Sequence, residues 1–359
     1  MRQAEVVIIG AGPAGLAAAK PLLDVGAEVT LIDRSAMLGG QLTKQTHMFF
    51  GSEKQHASKR GIDILKLMVE AIETYPNLTV LTETTVVGLY ADKVVSCVKD
   101  DHYFKIQAQY ILIAAGASEK SLPFENNDIP GVYAAGAVQT LMNVYGVKPG
   151  DRVIMVGSGN IGLIVSYQLM QAGVQVPLLL EAADTISGYL VHASKIRRLG
   201  VDIRMNTSIK RALGETSVEA AEIWQLDENW QGIEGTETII PCDTICLSVG
   251  LAPLTELLQQ AGAEVKYVRE LGGHVPKINQ HYETSLDAVY ACGDVAGIEE
   301  ASSAMISGHI AGIEIALKAG YTVANANDIL PRLRHDLRNL REGPHGEKIR
   351  IGLKKLGVA

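Results

Sequence analysis

The sequence predicts an α/β fold built on two copies of one strand–glycine loop–helix–strand unit. Three observations carry this. Glycine triplets spaced GxGxxG stand at Gly10, Gly12 and Gly15, and again at Gly157, Gly159 and Gly162. A short apolar run precedes each triplet, VVII in the first copy and VIMV in the second. A second apolar run then ends on an acid, Asp33 lying 18 residues beyond Gly15 and Glu181 lying 19 beyond Gly162.

A lone triplet is a weak signal. Glycine makes up 36 of the 359 residues, so this spacing arises by chance at about one position in a thousand. The strand before it, the helical pattern after it and the acid remove most accidents, and the chain repeats the whole arrangement. The chemistry explains the spacing. The first glycine permits a tight turn, the second lets a pyrophosphate approach the backbone, and the third lets helix and strand pack closely. The helix N-terminus presents free N–H groups to the phosphates, and the acid accepts hydrogen bonds from a ribose. Two Rossmann-like units imply two dinucleotides, a bound flavin and a nicotinamide. Glu181 is followed by Ala182, Ala183 and Asp184 with no arginine nearby. A 2′-phosphate would meet negative charge there, so NAD(H) is expected rather than NADP.

Composition bounds the rest. The length suits two domains of ordinary size, and 47% apolar residues can fill their cores. A net charge of -8 argues against a nucleic-acid partner. No apolar run has the length of a membrane span, and the apolar N-terminus reads as strand, turn and helix rather than as a signal peptide. Four cysteines in such a chain suggest reduced thiols and a cytoplasmic setting.

Two further apolar strands are expected at YILIAAG, residues 110–116, and VYACGDVAG, residues 289–297. With these in place the motifs GAGPAG, LIDR, GGQL, AAG, GSGNIG and CGD follow one another in order. The chain resembles the flavin-dependent pyridine-nucleotide oxidoreductases, nearest the thioredoxin reductase type, over about residues 4–320. That resemblance implies an FAD domain in two pieces, 1–117 and 285–325, with an NAD(P) domain at 118–284 inserted into it and a basic tail at 326–359. It assigns Gly10, Gly12, Ala14 and Gly15 to the FAD pyrophosphate, Asp33 to its ribose and Val86 to backbone contact with adenine. Gly40 and Gln41 would lie beside the isoalloxazine, Asp294 near the ribityl and pyrophosphate groups, and a helix from about Ser302 would aim at the flavin ring. Arg34, Ala115, Gly116 and Gly293 count with the flavin site. Gly157, Gly159, Asn160, Ile161, Gly162, Glu181 and Gly250 count with the nicotinamide site.

Relatives of this kind often pass electrons through a cysteine pair, and here none is visible. In one branch the pair follows GG, at places that hold Leu42 and His47 in this chain. In the other it lies just before the second glycine loop, where GVYAAGAVQTLMNVYGVKPG has no cysteine. PCDTICLSVG reads as a strand, which would put Cys242 and Cys246 about 13 Å apart, beyond the roughly 7 Å a disulfide spans. All four cysteines are therefore read as packing residues, and no metal site is expected.

The segment EEASSAMISGHIAG, residues 299–312, is similar to the same stretch in flavoprotein subunits of sarcosine oxidase, hydrogen cyanide synthase and dye-linked proline and hydroxyproline dehydrogenases. That branch implies an oligomer with a partner flavoprotein subunit. Many of its members carry a cysteine-rich extension, but this chain has no cysteine after Cys292. Within the basic tail, residues 331–359 hold eight Lys or Arg against three Asp or Glu, and are read as a solvated helix or as a docking surface for an acidic partner. Near the flavin, Lys44, Gln45 and His47 are candidates to orient a substrate carboxylate or move a proton, with His47 the first candidate for catalysis and His56 after it. Met48, Phe49 and Phe50 are expected to pack the loop. The sequence thus predicts an FAD-dependent oxidoreductase passing electrons between NAD(H) and an external acceptor, small molecule or protein, without a redox disulfide. The alternative is a subunit of a heteromeric amino- or imino-acid dehydrogenase or oxidase. Intact GAGPAG and CGD motifs speak against a purely structural scaffold.

Overall fold

The structure, a computed structural model, describes residues 1–49 and 53–358. Phe50 of the expected loop packing lies outside the described residues. The chain divides into two compact units, Met1–Ser118 with Leu251–Ala359, and Glu119–Gly250.

The first unit opens with β1 (Arg2–Ile9), α1 (Pro13–Asp24) and β2 (Val29–Ile32), followed by α2 (Gly61–Glu70) and β3 (Leu78–Leu81). A meander of β4 (Thr85–Leu89), β5 (Val94–Lys99) and β6 (His102–Ile113) comes next, and β7 (Ala117–Glu119) leads out. The main sheet runs β3-β2-β1-β6-β5-β4. Strands β1, β2, β3 and β6 are parallel, whereas β5 and β4 return antiparallel. Parallel strands covered on both faces need continuous apolar runs, and Val6–Ile9 are buried without alternation. The chain passes from β1 to β2 on one side and meets β6 on the other. The crevice at their carboxyl ends is thus a topological switch point, where ligands bind in open α/β sheets.

The second unit holds β8 (Val132–Ala134), α3 (Ala135–Asn143), β9 (Arg152–Val156), α4 (Asn160–Gln171), β10 (Gln175–Leu180), α5 (Leu190–Arg198) and β11 (Asp202–Arg204). An antiparallel layer of β12 (Thr207–Leu213), β13 (Ala220–Gln225) and β14 (Thr238–Pro241) precedes β15 (Thr244–Leu247). Its parallel sheet runs β11-β10-β9-β15-β8. Both units are Rossmann-like, as the paired glycine loops predict.

The chain then returns to the first unit with β16 (Leu251–Pro253), α6 (Glu256–Gln260), the hairpin β17 (Val265–Val268) and β18 (Gly273–Pro276), β19 (Val289–Ala291), and helices α7 (Ala301–Lys318), α8 (Ala326–Leu340) and α9 (Gly343–Leu356). Residues 251–284, expected in the middle piece, therefore belong to the first unit. The reason is packing. Leu258 of α6 is buried with Leu89, Val95 and Ile111, and the Gln260 side chain accepts the Leu89 N–H at 2.9 Å.

The tail also departs from expectation. It forms two helices rather than one solvated helix. Leu330 and Leu337 are buried against Ile306, Ile310 and Ile313 of α7, and Leu356 against Val268, Leu271 and Val275. Part of its basic charge is answered within the unit, in the pairs Arg334–Glu314, Arg341–Glu299 and Lys355–Glu270. Among the described residues no helix is long and apolar enough to cross a membrane.

Helices α1 and α7 touch backbone to backbone. A Cβ on Gly308 would lie 2.1 Å from the Ala14 carbonyl oxygen, and one on Gly312 would lie 2.3 Å from that of Ala18. Each contact tolerates only glycine. Gly308→Ala and Gly312→Ala should therefore each lower stability by about 1–3 kcal/mol, measured by urea denaturation. An unchanged midpoint in either variant would refute this account of the helix pair.

Candidate functional site

The first glycine loop is shaped by close approach. Gly10 has a φ of +103°, and a Cβ there would lie 2.3 Å from the Ala114 carbonyl oxygen beyond β6. A Cβ on Gly15 would fall 1.9 Å from the Gly10 oxygen, so the start of α1 rests directly on the turn. Gly12 is the N-cap residue, with no side-chain cap, and α1 presents its first-turn amides at the sheet edge. The Gly39 N–H donates to the Ala11 oxygen at 2.8 Å, and Gly40 lies so close to Gly12 that a Cβ on it would come within 2.9 Å of the Gly12 Cα. The result is a cradle of bare backbone.

Asp33 closes the cradle. Its Oδ2 accepts the Ala11 N–H and its Oδ1 the Ser35 N–H, both at 2.8 Å. A carboxylate has about four acceptor sites, so capacity remains for a diol. The Thr84 N–H donates to the Asp33 carbonyl at 3.0 Å, which brings the start of β4, and Val86 with it, alongside the acid. Arg34 and Gln41 are exposed. Ala115 and Gly116 follow β6, and the Gly116 carbonyl accepts the Leu254 N–H at 3.1 Å.

The turn after β19 meets the same loop. A Cβ on Gly293 would lie 2.8 Å from the Ala14 Cβ, and the Gly293 N–H donates to Ser307 Oγ of α7 at 3.1 Å. Asp294 Oδ1 accepts the Glu299 N–H at 3.3 Å. Burial pushes the Asp294 carboxyl up to about 7; the Glu299 N–H opposes the rise, and the charges of Glu299 and Glu300 reinforce it. Ser302, buried, sits in the first turn of α7. The structure thus brings Gly10, Gly12, Ala14, Gly15, Asp33, Gly40, Gly293 and Asp294 to one crevice. A backbone cradle, an uncapped helix start and a carboxylate at its mouth fit a dinucleotide.

The Gly40–Lys44 turn leads to His47, which is half-buried and stacks on Phe49 with ring centroids 5.7 Å apart. Phe49 packs with Leu42, Ile64 and Met305, as expected. Met48 does not; it is 54% exposed and bridges backbone to backbone with Arg60. His56 holds a φ of +62°, and burial, then Lys59, lowers its pKa.

The second loop repeats the first contact for contact. A Cβ on Gly157 would lie 2.2 Å from the Ser248 oxygen, and one on Gly162 would lie 2.1 Å from the Gly157 oxygen. Gly159 is the N-cap of α4, again with no side-chain cap. The Ser158 N–H donates to Glu181 Oε2 at 2.9 Å, as Ala11 does to Asp33, and the Ala183 N–H donates to Oε1 at 3.0 Å. Ile161 packs at the edge of the unit's core, while Gly250 is exposed. Ser158 is a site residue that the motif did not single out: its hydroxyl also donates to Glu181 and accepts the Ser187 N–H at 3.1 Å. A hydroxyl between two loop glycines was the available signal. The part taken by Asn160 is likewise new, its Oδ1 accepting the Tyr189 N–H at 2.8 Å.

All four cysteines are free and buried, as expected. Burial pushes the Cys97 thiol up to about 11 and that of Cys242 to about 12, and raises Cys246 and Cys292 further. PCDTICL is not one strand, however: Cys242 falls between β14 and β15, because the chain leaves one sheet there to join another. Among the described residues no cluster of three or more His, Cys, Asp or Glu could hold a metal ion.

Comparison with known proteins agrees with this geometry. The pyridine nucleotide-disulphide oxidoreductase family matches residues 4–308. The hydrogen cyanide synthase subunit HcnB of Pseudomonas protegens is 26% identical over 332 residues, covering 88% of this chain and 70% of its own. The alpha chain of sarcosine oxidase from a Corynebacterium species is 26% identical over 348 residues, covering 91% of this chain, but this chain spans only 34% of that longer protein. An opine oxidase subunit of Agrobacterium tumefaciens is 25% identical over 328 residues, covering 86% of this chain and 64% of its own. Solved structures share the fold. The thioredoxin reductase of T. acidophilum gives a TM-score of 0.73 at 22% identity, covering 89% of this chain and 99% of that one. L-Proline dehydrogenase from P. horikoshii gives 0.69 at 23% identity, covering 94% of this chain and 59% of that one.

Two outcomes follow from the buried groups. At about pH 8 a disulfide reagent such as DTNB should titrate almost no thiol in the folded chain and all four in guanidinium; fast reaction of any native thiol would contradict the burial. Asp294, with its pKa raised from the usual carboxylate value to about 7, destabilises the ligand-free fold as pH climbs through that interval. Asp294→Asn removes this cost. Its thermal stability should match wild type near about pH 4 and exceed it by roughly 1–3 kcal/mol at about pH 8; a gap that does not change with pH would count against the ionisation.

Proposed function

Because the chain belongs to the pyridine nucleotide-disulphide oxidoreductase family of flavin-dependent enzymes and their components, we propose that it passes electrons between NAD(H) and an external acceptor through FAD, without a protein disulfide. The observation that carries this reading is the duplicated loop. In each unit an uncapped helix start faces an acid already oriented by the amide between the first two glycines. Two such cradles suit two dinucleotides, and the four buried thiols leave no cysteine pair to relay electrons.

When bound, the flavin supplies the electron-accepting ring chemistry. The protein's own part is binding and orientation. The first-turn amides of α1 take the pyrophosphate, and Asp33 takes the ribose hydroxyls. Gly40 and Gly293 admit the cofactor close to backbone, and His47 is the candidate to orient substrate or move a proton. In the second unit α4 and Glu181 play the corresponding parts. Ala182, Ala183 and Asp184 after Glu181 offer no cation for a 2′-phosphate, which supports NAD(H) over NADP.

The nature of the relatives favours a second reading. HcnB, the opine oxidase chain and the sarcosine oxidase alpha chain are each one subunit of a larger enzyme. On that reading the chain works beside a partner flavoprotein that oxidises an amine or imine, and its nicotinamide site need not turn over.

An anaerobic visible titration separates the two. Under the first reading, bound flavin bleaches with about one equivalent of NADH. Glu181→Ala should then weaken NADH binding by roughly ten- to a hundredfold, the loss of one or two charged hydrogen bonds. Flavin that stays oxidised under NADH would sink the first reading and leave the second. A chain that neither carries nor takes up flavin would sink both.

A further inference from the structure

Arg341 ends α8, at the joint with α9. Its backbone is held in place: Arg350 donates to its carbonyl, and Gly346 lies so near that a Cβ would fall 1.9 Å from that oxygen. Its side chain reaches into the first unit. Nε donates to Glu299 Oε2 at 2.9 Å and Nη2 to Oε1 at 2.6 Å, a bidentate pair only 17% and 14% exposed. The guanidinium also bonds the Tyr282 hydroxyl, which lies on the segment before β19.

Glu299 is not an isolated surface acid. Its N–H donates to Asp294 at 3.3 Å, its neighbour Ile298 donates to the Leu271 oxygen at 3.0 Å, and Glu300 is the N-cap of α7. At the other end of this turn Gly293 lies against Ala14 of the first glycine loop. A chain of contacts therefore runs from the last two helices, through Glu299 and the Gly293–Glu300 turn, to the dinucleotide cradle. The turn carries three carboxylates, Asp294, Glu299 and Glu300. Without the guanidinium, Glu299 would be a half-buried acid in an already acidic turn, and would be driven outward to water.

We propose that Arg341 is a positioning residue: by holding Glu299 it fixes the Gly293–Glu300 turn, and so the grip of the first unit on its dinucleotide. This rests on the reading of that unit as the FAD site. It gives the basic tail a role distinct from docking a partner, since the arginine is turned inward.

The test uses the full chain with Arg341→Gln, Arg341→Lys and the double variant Arg341→Gln/Glu299→Gln. Three quantities are measured: FAD affinity of deflavinated protein, thermal midpoint, and amide hydrogen exchange across residues 295–303 in the ligand-free chain. Arg341→Gln should weaken FAD binding at least tenfold and speed exchange in that segment, with exchange elsewhere unchanged. Arg341→Lys should restore part of the affinity, and the double variant should restore more, because no bare carboxylate remains. Wild-type affinity and exchange in Arg341→Gln would overturn the proposal. So would a loss that tracks global unfolding and is not rescued by either second variant. If the wild type takes up no FAD, the reading of the first unit fails, but exchange still decides on the coupling: a local rise in Arg341→Gln upholds it and no rise overturns it.

Discussion

The first unit depends on a contact between two backbones. Helix α1 starts from the first glycine loop and α7 starts from the turn after β19, and they meet where Gly308 and Gly312 leave no room for a side chain. That approach places two helix starts at the carboxyl edge of one parallel sheet. Ala14 is the common point, touched by Gly308 from α7 and by Gly293 from the turn. A larger residue at either glycine would push the helices apart and open the crevice that Asp33 and Asp294 border. Packing and the candidate site are therefore one constraint here.

The two loops show the same solution reached twice with one difference. Asp33 accepts two backbone amides, whereas Glu181 accepts two backbone amides and the Ser158 hydroxyl. Glu181 is also the more deeply buried. The second acid is thus more fully occupied by its own protein, with fewer acceptor sites left for a ribose. The two loops share one backbone plan, yet their grips need not be equal.

Much of this was legible in the sequence because phosphate binding is a local problem. Turn, close approach and helix start must fall within six residues, so Gly10 to Gly15 and Gly157 to Gly162 announce themselves, and each acid follows at a fixed stride. What was not legible depended on distant partners. Leu258 looks like any apolar residue until it meets Leu89 and Ile111, and so the return to the first unit at Leu251 carries no mark in the sequence. The tail's eight basic residues suggested solvent, while Leu330, Leu337 and Leu356 needed α7 and the β17–β18 hairpin to show which face was apolar. PCDTICL has the composition of a single strand, but Cys242 sits where the chain changes sheets. Ser158 was overlooked because the GxGxxG pattern leaves its position unspecified.

The α1–α7 contact has a consequence for how the chain is made. Because the second unit interrupts the first, α1 leaves the ribosome long before its partner exists. The gap between Asp24 and Ala301 corresponds to roughly 15–55 s of synthesis at ordinary rates. During that time the intervening unit is complete in sequence and free to fold, while the small-residue face of α1 and one edge of β6 wait uncovered. Vectorial synthesis therefore imposes an order, inner unit before outer. The nascent chain is most exposed to misassembly and to chaperone capture in the interval before α7 emerges.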